Sequence, residues 1–199
     1  MIDETHSDVE PEVAASQRRA MPFMIISGIL TALAIYLALY NKLPWTIGGH
    51  SSLLKRIVFA LRLSFVEILF LIFMILTIAR IRSSTFAIDP TDARGQSIVE
   101  QPQRILQNTL EQFLVKFILS IVLATLLHSR ELILLPVLTI LFLIGRITFV
   151  IGYPRNRAFG MVMNLVSSVI IGLIIVYRLY YTGIMSGLSM KWKRNNSVF

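Results

Sequence analysis

Residues 104–112 read RILQNTLEQ and open a segment that becomes almost wholly apolar, FLVKFILSIVLATLL. On a helix at about 100° per residue, Arg104, Asn108 and Glu111 fall within about 60° of one another, with Gln107 on the same side. A cation, two amides and a carboxylate therefore share one stripe. A second set lies in GRITFVIGYPRNRAFG, residues 145–160, where Arg146, Phe149 and Tyr153 stand at i, i+3 and i+7 and are followed by Arg155 and Arg157. Arg80 and Arg82, at the end of another apolar run, make a third. Such groups suit an anionic small molecule that carries carboxylates and an amine. Arginine grips a carboxylate bidentately, an amide reads peptide groups, and a glutamate receives an ammonium. An arginine beside a ligand thiol would also favour its thiolate.

The elements that must position these residues are apolar helices. Of the 199 residues 55% are hydrophobic and 15% charged, with a mean hydropathy of +0.72. A soluble domain carries about 25% charged residues, so this is a membrane composition. Five segments are long enough to cross about 30 Å of hydrocarbon: roughly Pro22–Tyr40, Ile57–Ala79, Gln103–Leu127, Leu132–Tyr153 and Ala158–Tyr181. The polar remainder divides the chain into an acidic, disordered tail over 1–20, an extra N-terminal helix and loop over 21–56, a four-helix unit over 57–182 and a basic tail over 183–199. Loop 83–103 carries turn residues, among them Asp89-Pro90, Gly95 and Pro102. Pro154 disfavours helical geometry at Tyr153 and should end the fourth helix there.

The net charge of +8 does not point to nucleic acid, because the basic residues cluster at the ends of apolar segments, where they meet headgroups. Lys and Arg outside the helix interiors divide eight to seven between the two sides, which favours a cytosolic N-terminus. On that topology the three polar clusters meet at one interface, the cytosolic one. There is no cysteine, and His6, His50 and His128 lie in different segments, so neither a thiolate nor a metal site is expected.

Glu67, Arg62, Lys116 and Arg146 lie inside apolar helices. An ionisable residue there costs at least about 2.5–3.5 kcal/mol on insertion scales and usually faces the bundle interior with a partner. They read as ion pairs that join helices, for example Glu67 or Glu111 with Arg146, or as a proton or ion pathway. The second reading lacks an internal repeat.

The order Arg104-x3-Asn108-x2-Glu111, followed by Arg146, Tyr153 and Arg157, resembles the MAPEG superfamily, membrane-associated proteins of eicosanoid and glutathione metabolism. The segment ARIRSSTFAIDPTDARGQ is similar to the family's link between its first two helices. The resemblance covers roughly residues 57–181 and implies an all-α membrane protein of five transmembrane helices, the last four a MAPEG-like four-helix bundle. It implies glutathione as cofactor and a homotrimer that binds it between subunits on the cytosolic side.

Carried over by position, Asn108 and Glu111 would hold glutathione with Arg104 in support, and Arg80 or Arg82 would add positive charge. Arg146 and Tyr153 would line the pocket, and Arg157 would stabilise the thiolate, the one catalytic role. Gln107 stands where several enzymes of the family have arginine, and Phe149 where tyrosine or histidine is common. The Tyr153–Arg157 stretch is short, and the first helix is additional. That layout resembles mattrin-like members, associated with endomembrane trafficking. The expected function is therefore non-catalytic, in trafficking or membrane organisation in the endoplasmic reticulum, Golgi or lysosome. The alternative is a glutathione transferase or peroxidase acting on a hydrophobic or lipid small molecule.

Overall fold

An apolar segment inside a bilayer can satisfy its backbone N–H and C=O groups only within itself, so each long run folds as a helix. The computed structural model describes residues 4–40, 43, 52–88, 93–128, 131–154 and 156–182. Asp89-Pro90, the connection through Pro44 and Gly48, Arg155 and the basic tail over 183–199 lie outside the described residues. The helices are α1 (Glu4–Leu39), α2 (Leu53–Ser83), α3 (Ala93–Leu126), α4 (Leu134–Gly152) and α5 (Ala158–Thr182), with a 3-10 turn at Phe86–Ile88. Each contains a stretch long and apolar enough to cross a membrane.

Two boundaries differ from expectation. Helix α1 begins at Glu4, so helix rather than a disordered tail leads into its apolar stretch, which starts at Arg18. Helix α3 begins at Ala93 instead of Gln103 and runs straight through Pro102. Val99 and Ile105 are buried on either side of that proline, and packing there outweighs its missing N–H.

Helix α2 starts at Ser52, whose hydroxyl accepts the Lys55 N–H at 3.3 Å, and ends in Arg80 and Arg82, cations at the negative end of the helix dipole. The Ser84 and Thr85 hydroxyls donate to the Arg80 and Ile81 carbonyls at 2.9 and 2.7 Å, satisfying acceptors the helix leaves open. Its buried residues Ala60, Ser64, Glu67, Leu71, Met74 and Ile78 recur at three and four, one stripe facing the bundle. Leu61, Phe65, Leu69, Ile72 and Phe73 on the other faces are exposed, as lipid contact requires.

Helix α4 is the most buried of the five. It packs against α5, α2, α1 and α3, while α1 lies along α5. The close α4–α5 approach depends on two glycines, since a Cβ on Gly160 would run into the Gly145 carbonyl and one on Gly145 would strike Asn164. At the far end the core is apolar, with Ile35, Leu123, Leu127, Leu134, Leu138 and Ile171 in one cluster. Midway, Lys116 of α3 pairs with Glu67 of α2 and donates to Thr139 Oγ1 of α4 at 3.1 Å, all three side chains being buried. The ion-pair reading is thus right in kind and wrong in partner: Glu67 meets Lys116, not Arg146.

Candidate functional site

The site is built at the loop end of α3, α4 and α5. Helix α4 ends at Gly152, and Tyr153 before Pro154 is extended, with φ −73° and ψ 136°. The geometry expected before proline therefore ends the helix just beyond the Arg146–Phe149 face. The Tyr153 ring lies 5.8 Å from the Phe149 ring, and the Arg146 guanidinium carbon stands 5.0 Å from the Phe149 centroid and 5.9 Å from that of Phe142.

Arg146 has no exposed surface. Its Nη1 donates to Asn108 Oδ1 at 2.9 Å. With the Asn164 amide oriented so that its oxygen faces the guanidinium, that oxygen accepts from Nη2 at 2.7 Å and Nε at 2.6 Å. Two amides and two aromatic faces replace water around this cation, and no carboxylate among the described residues pairs with it. Three helices are joined at one guanidinium.

The stripe on α3 divides. Asn108 turns inward to Arg146 and is half-buried, while Arg104, Gln107 and Glu111 are exposed. Arg104 pairs with Glu100 at 2.5 Å, and Gln107 Nε2 donates to Glu111 Oε1 at 3.2 Å, both one helical turn apart. Such exposed pairs are weak and exchange partners readily. Glu111 does not pair with Arg146, which corrects the other expected ion pair. An arc of about 60° straddles the boundary between the interior and the surface of this helix.

Arg157 is exposed, with its guanidinium 5.5 Å from the Tyr153 ring. Arg80 is exposed and Arg82 half-buried; no hydrogen bond among the described residues joins either to the α3 stripe. The structure thus gathers Arg146, Asn108, Phe149 and Tyr153 into one inner cluster. Arg104, Gln107, Glu111 and Arg157 remain at the surface of the single chain. Sequence reasoning misses Asn164, whose only signal is a lone amide in an otherwise apolar run, and Glu100, hidden in a stretch whose turn residues suggest a loop. Among the described residues no group of three His, Asp or Glu could hold a metal.

The model of the MAPEG family matches residues 57–185, well over half of the chain. The chain belongs to the MAPEG family. The match begins inside α2 and extends past the last residue of α5, so α1 is the element outside the shared MAPEG part. No curated protein and no solved structure matches the sequence. Asn108, Arg146 and Asn164 lie on three of the four helices that the MAPEG match covers.

Proposed function

We propose that this MAPEG chain is a non-catalytic membrane protein that acts in membrane organisation or trafficking in the endomembrane system, as a homotrimer with a cytosolic N-terminus. One observation carries this reading. The amide most characteristic of the ligand stripe, Asn108, is committed to the buried Arg146, which Asn164 completes from the other side. Phe149, also buried there, offers that arginine a ring face and no polar atom for a ligand. Asn108, Arg146 and Asn164 therefore serve one another, and the added α1 resembles the mattrin-like layout.

The test is an assay of the detergent-purified full chain with glutathione and either a hydrophobic electrophile or a lipid hydroperoxide. The expected result is turnover no faster than the uncatalysed reaction. Glutathione-dependent turnover abolished by Arg157→Ala would overturn the proposal. In cells, loss of the chain should redistribute endomembrane cargo, and Arg157→Ala should restore it as well as the native sequence does.

The alternative is a glutathione transferase or peroxidase, and one observation favours it. Arg104, Gln107 and Glu111 are exposed and, among the described residues, bonded only to neighbours on their own helix, so a ligand at a subunit boundary would meet groups ready to exchange. Arginine and glutamate fit the carboxylates and ammonium of glutathione, and Arg157 beside Tyr153 would meet its thiol. Saturable glutathione binding by calorimetry, lost in both Arg104→Ala and Glu111→Ala, would support it.

A further inference from the structure

A groove of about 200 Å³ opens between α2 and α3 toward the end where α2 runs into the connection. Phe73, Thr77 and Ile78 of α2, Pro102 and Ile105 of α3, and Val150 of α4 line it. Its walls are almost wholly apolar. Thr77 and Gln101 are its polar lining residues, and the Thr77 hydroxyl donates to the Phe73 carbonyl at 2.8 Å. Phe73 is 67% exposed, so the groove opens sideways onto the bilayer.

Two cations follow in the last turn of α2, beyond the residues that line the groove. Arg82 lies one turn beyond Ile78 on the stripe that supplies Met74 and Ile78 to the interior, about 6 Å further along the axis. Its Nε is buried and has no hydrogen-bond partner among the described residues. A buried donor left unsatisfied costs about 1–3 kcal/mol, more if charged, so this nitrogen calls for an acceptor. Arg80 adds an exposed second cation, and Glu100, the nearby acid on α3, is taken by Arg104.

We propose that this groove is a binding site for an anionic phospholipid, one acyl chain lying against Phe73, Ile78 and Ile105 and the phosphate accepting from Arg82. Two features select this occupant. The apolar channel opens to lipid and Arg82 follows one helical turn beyond Ile78, which matches an acyl chain and its phosphate in both chemistry and order. Its volume admits a run of methylenes and not a second helix about 10 Å across. The site lies apart from the α3 stripe, and it assigns to a lipid phosphate the Arg80 and Arg82 that the MAPEG resemblance offers to glutathione.

The experiment is native mass spectrometry of the full chain, released from detergent with equal amounts of dioleoyl phosphatidylserine and dioleoyl phosphatidylcholine. Preferential retention of phosphatidylserine is expected. Arg82→Gln should reduce that preference roughly tenfold, the value of one charge-assisted hydrogen bond, while Arg82→Lys keeps part of it. Thr77→Trp, which fills the groove from an exposed position, should reduce retention of both lipids. Equal retention of the two lipids by the native chain, or retention unaffected by Arg82→Gln and Thr77→Trp, would overturn the proposal. So would a Thr77→Trp chain that loses an oligomer and keeps its lipid, since the groove would then be covered by a second copy.

Discussion

The side-chain oxygen of Asn108 lies 2.9 Å from Arg146 Nη1, across the α3–α4 boundary and with the guanidinium wholly buried. A residue that looks from its spacing like the centre of a ligand stripe is thus a structural acceptor. Its removal should leave a charged donor unsatisfied. Asn108→Ala is expected to destabilise the bundle by about 1–3 kcal/mol. Asn164→Ala should cost more, because Asn164 accepts twice. Thermal unfolding in detergent measures both. A double-mutant cycle of Asn108→Ala with Arg146→Met should give a coupling energy clearly different from zero.

The Glu67–Lys116 pair makes the opposite comparison possible. Removing one partner strands a charge in the membrane interior, so Glu67→Leu alone should cost about 3–5 kcal/mol. The double variant Glu67→Leu/Lys116→Met replaces both charges with apolar groups of similar volume and should recover most of that loss. A double variant no more stable than Glu67→Leu would show that Thr139 and the surrounding packing, rather than the charge pair, decide the effect.

The sequence reading offers Arg146 to Glu67, although depth along the apolar runs points to Lys116. Glu67 stands twelve residues before Ala79 and Lys116 thirteen after Gln103, nearly level in an antiparallel hairpin. The five spans, the stop before Pro154 and the Arg146–Phe149–Tyr153 face are legible for similar reasons, each resting on local apolar period or proline geometry. The division of the α3 stripe is not. Which edge of an arc of about 60° is buried depends on where α4 and α5 lie, and those positions are tertiary. Asn164 escapes for the same reason, since its role exists only once α5 stands opposite Arg146. Glu100 escapes because Pro102 signals a break that burial of Val99 and Ile105 overrides.

The glycine contact between α4 and α5 predicts a sharp contrast within one helix. Gly160→Val should force the two backbones apart and yield aggregated or poorly folded protein, whereas Gly172→Ala meets nothing within 4 Å and should be tolerated. Size-exclusion profiles of the two variants in detergent would check this.

Beyond the far end of the span, Glu131 pairs with Arg178 and accepts the His128 backbone N–H at 2.9 Å. Partial burial pushes its carboxyl upward, but the His128 N–H and Arg178 outweigh this and hold it below the ordinary 4.5. A carboxylate with a depressed folded-state pKa contributes stability that is fully present above its unfolded value. That contribution should be lost as the pH falls below about 4.5 and through the lowered folded-state value. Melting temperatures measured from about pH 7 down to about pH 3 should fall in that window. Glu131→Gln should flatten that fall.

The contact of α1 with α5 bears on how the molecule is made. Ser27 Oγ donates to the Phe159 carbonyl at 2.7 Å, and Ser27, Thr31, Ile35 and Ala38 are all buried, so α1 is seated on a helix that the ribosome delivers last of the five. The first of these five spans must therefore dwell in the membrane with the Ser27 hydroxyl lacking its Phe159 acceptor until 132 further positions have been translated. Insertion machinery that shelters nascent spans would have to retain it for that interval. A chain arrested before α5 would leave α1 without its seat, a form that membrane quality control is suited to detect.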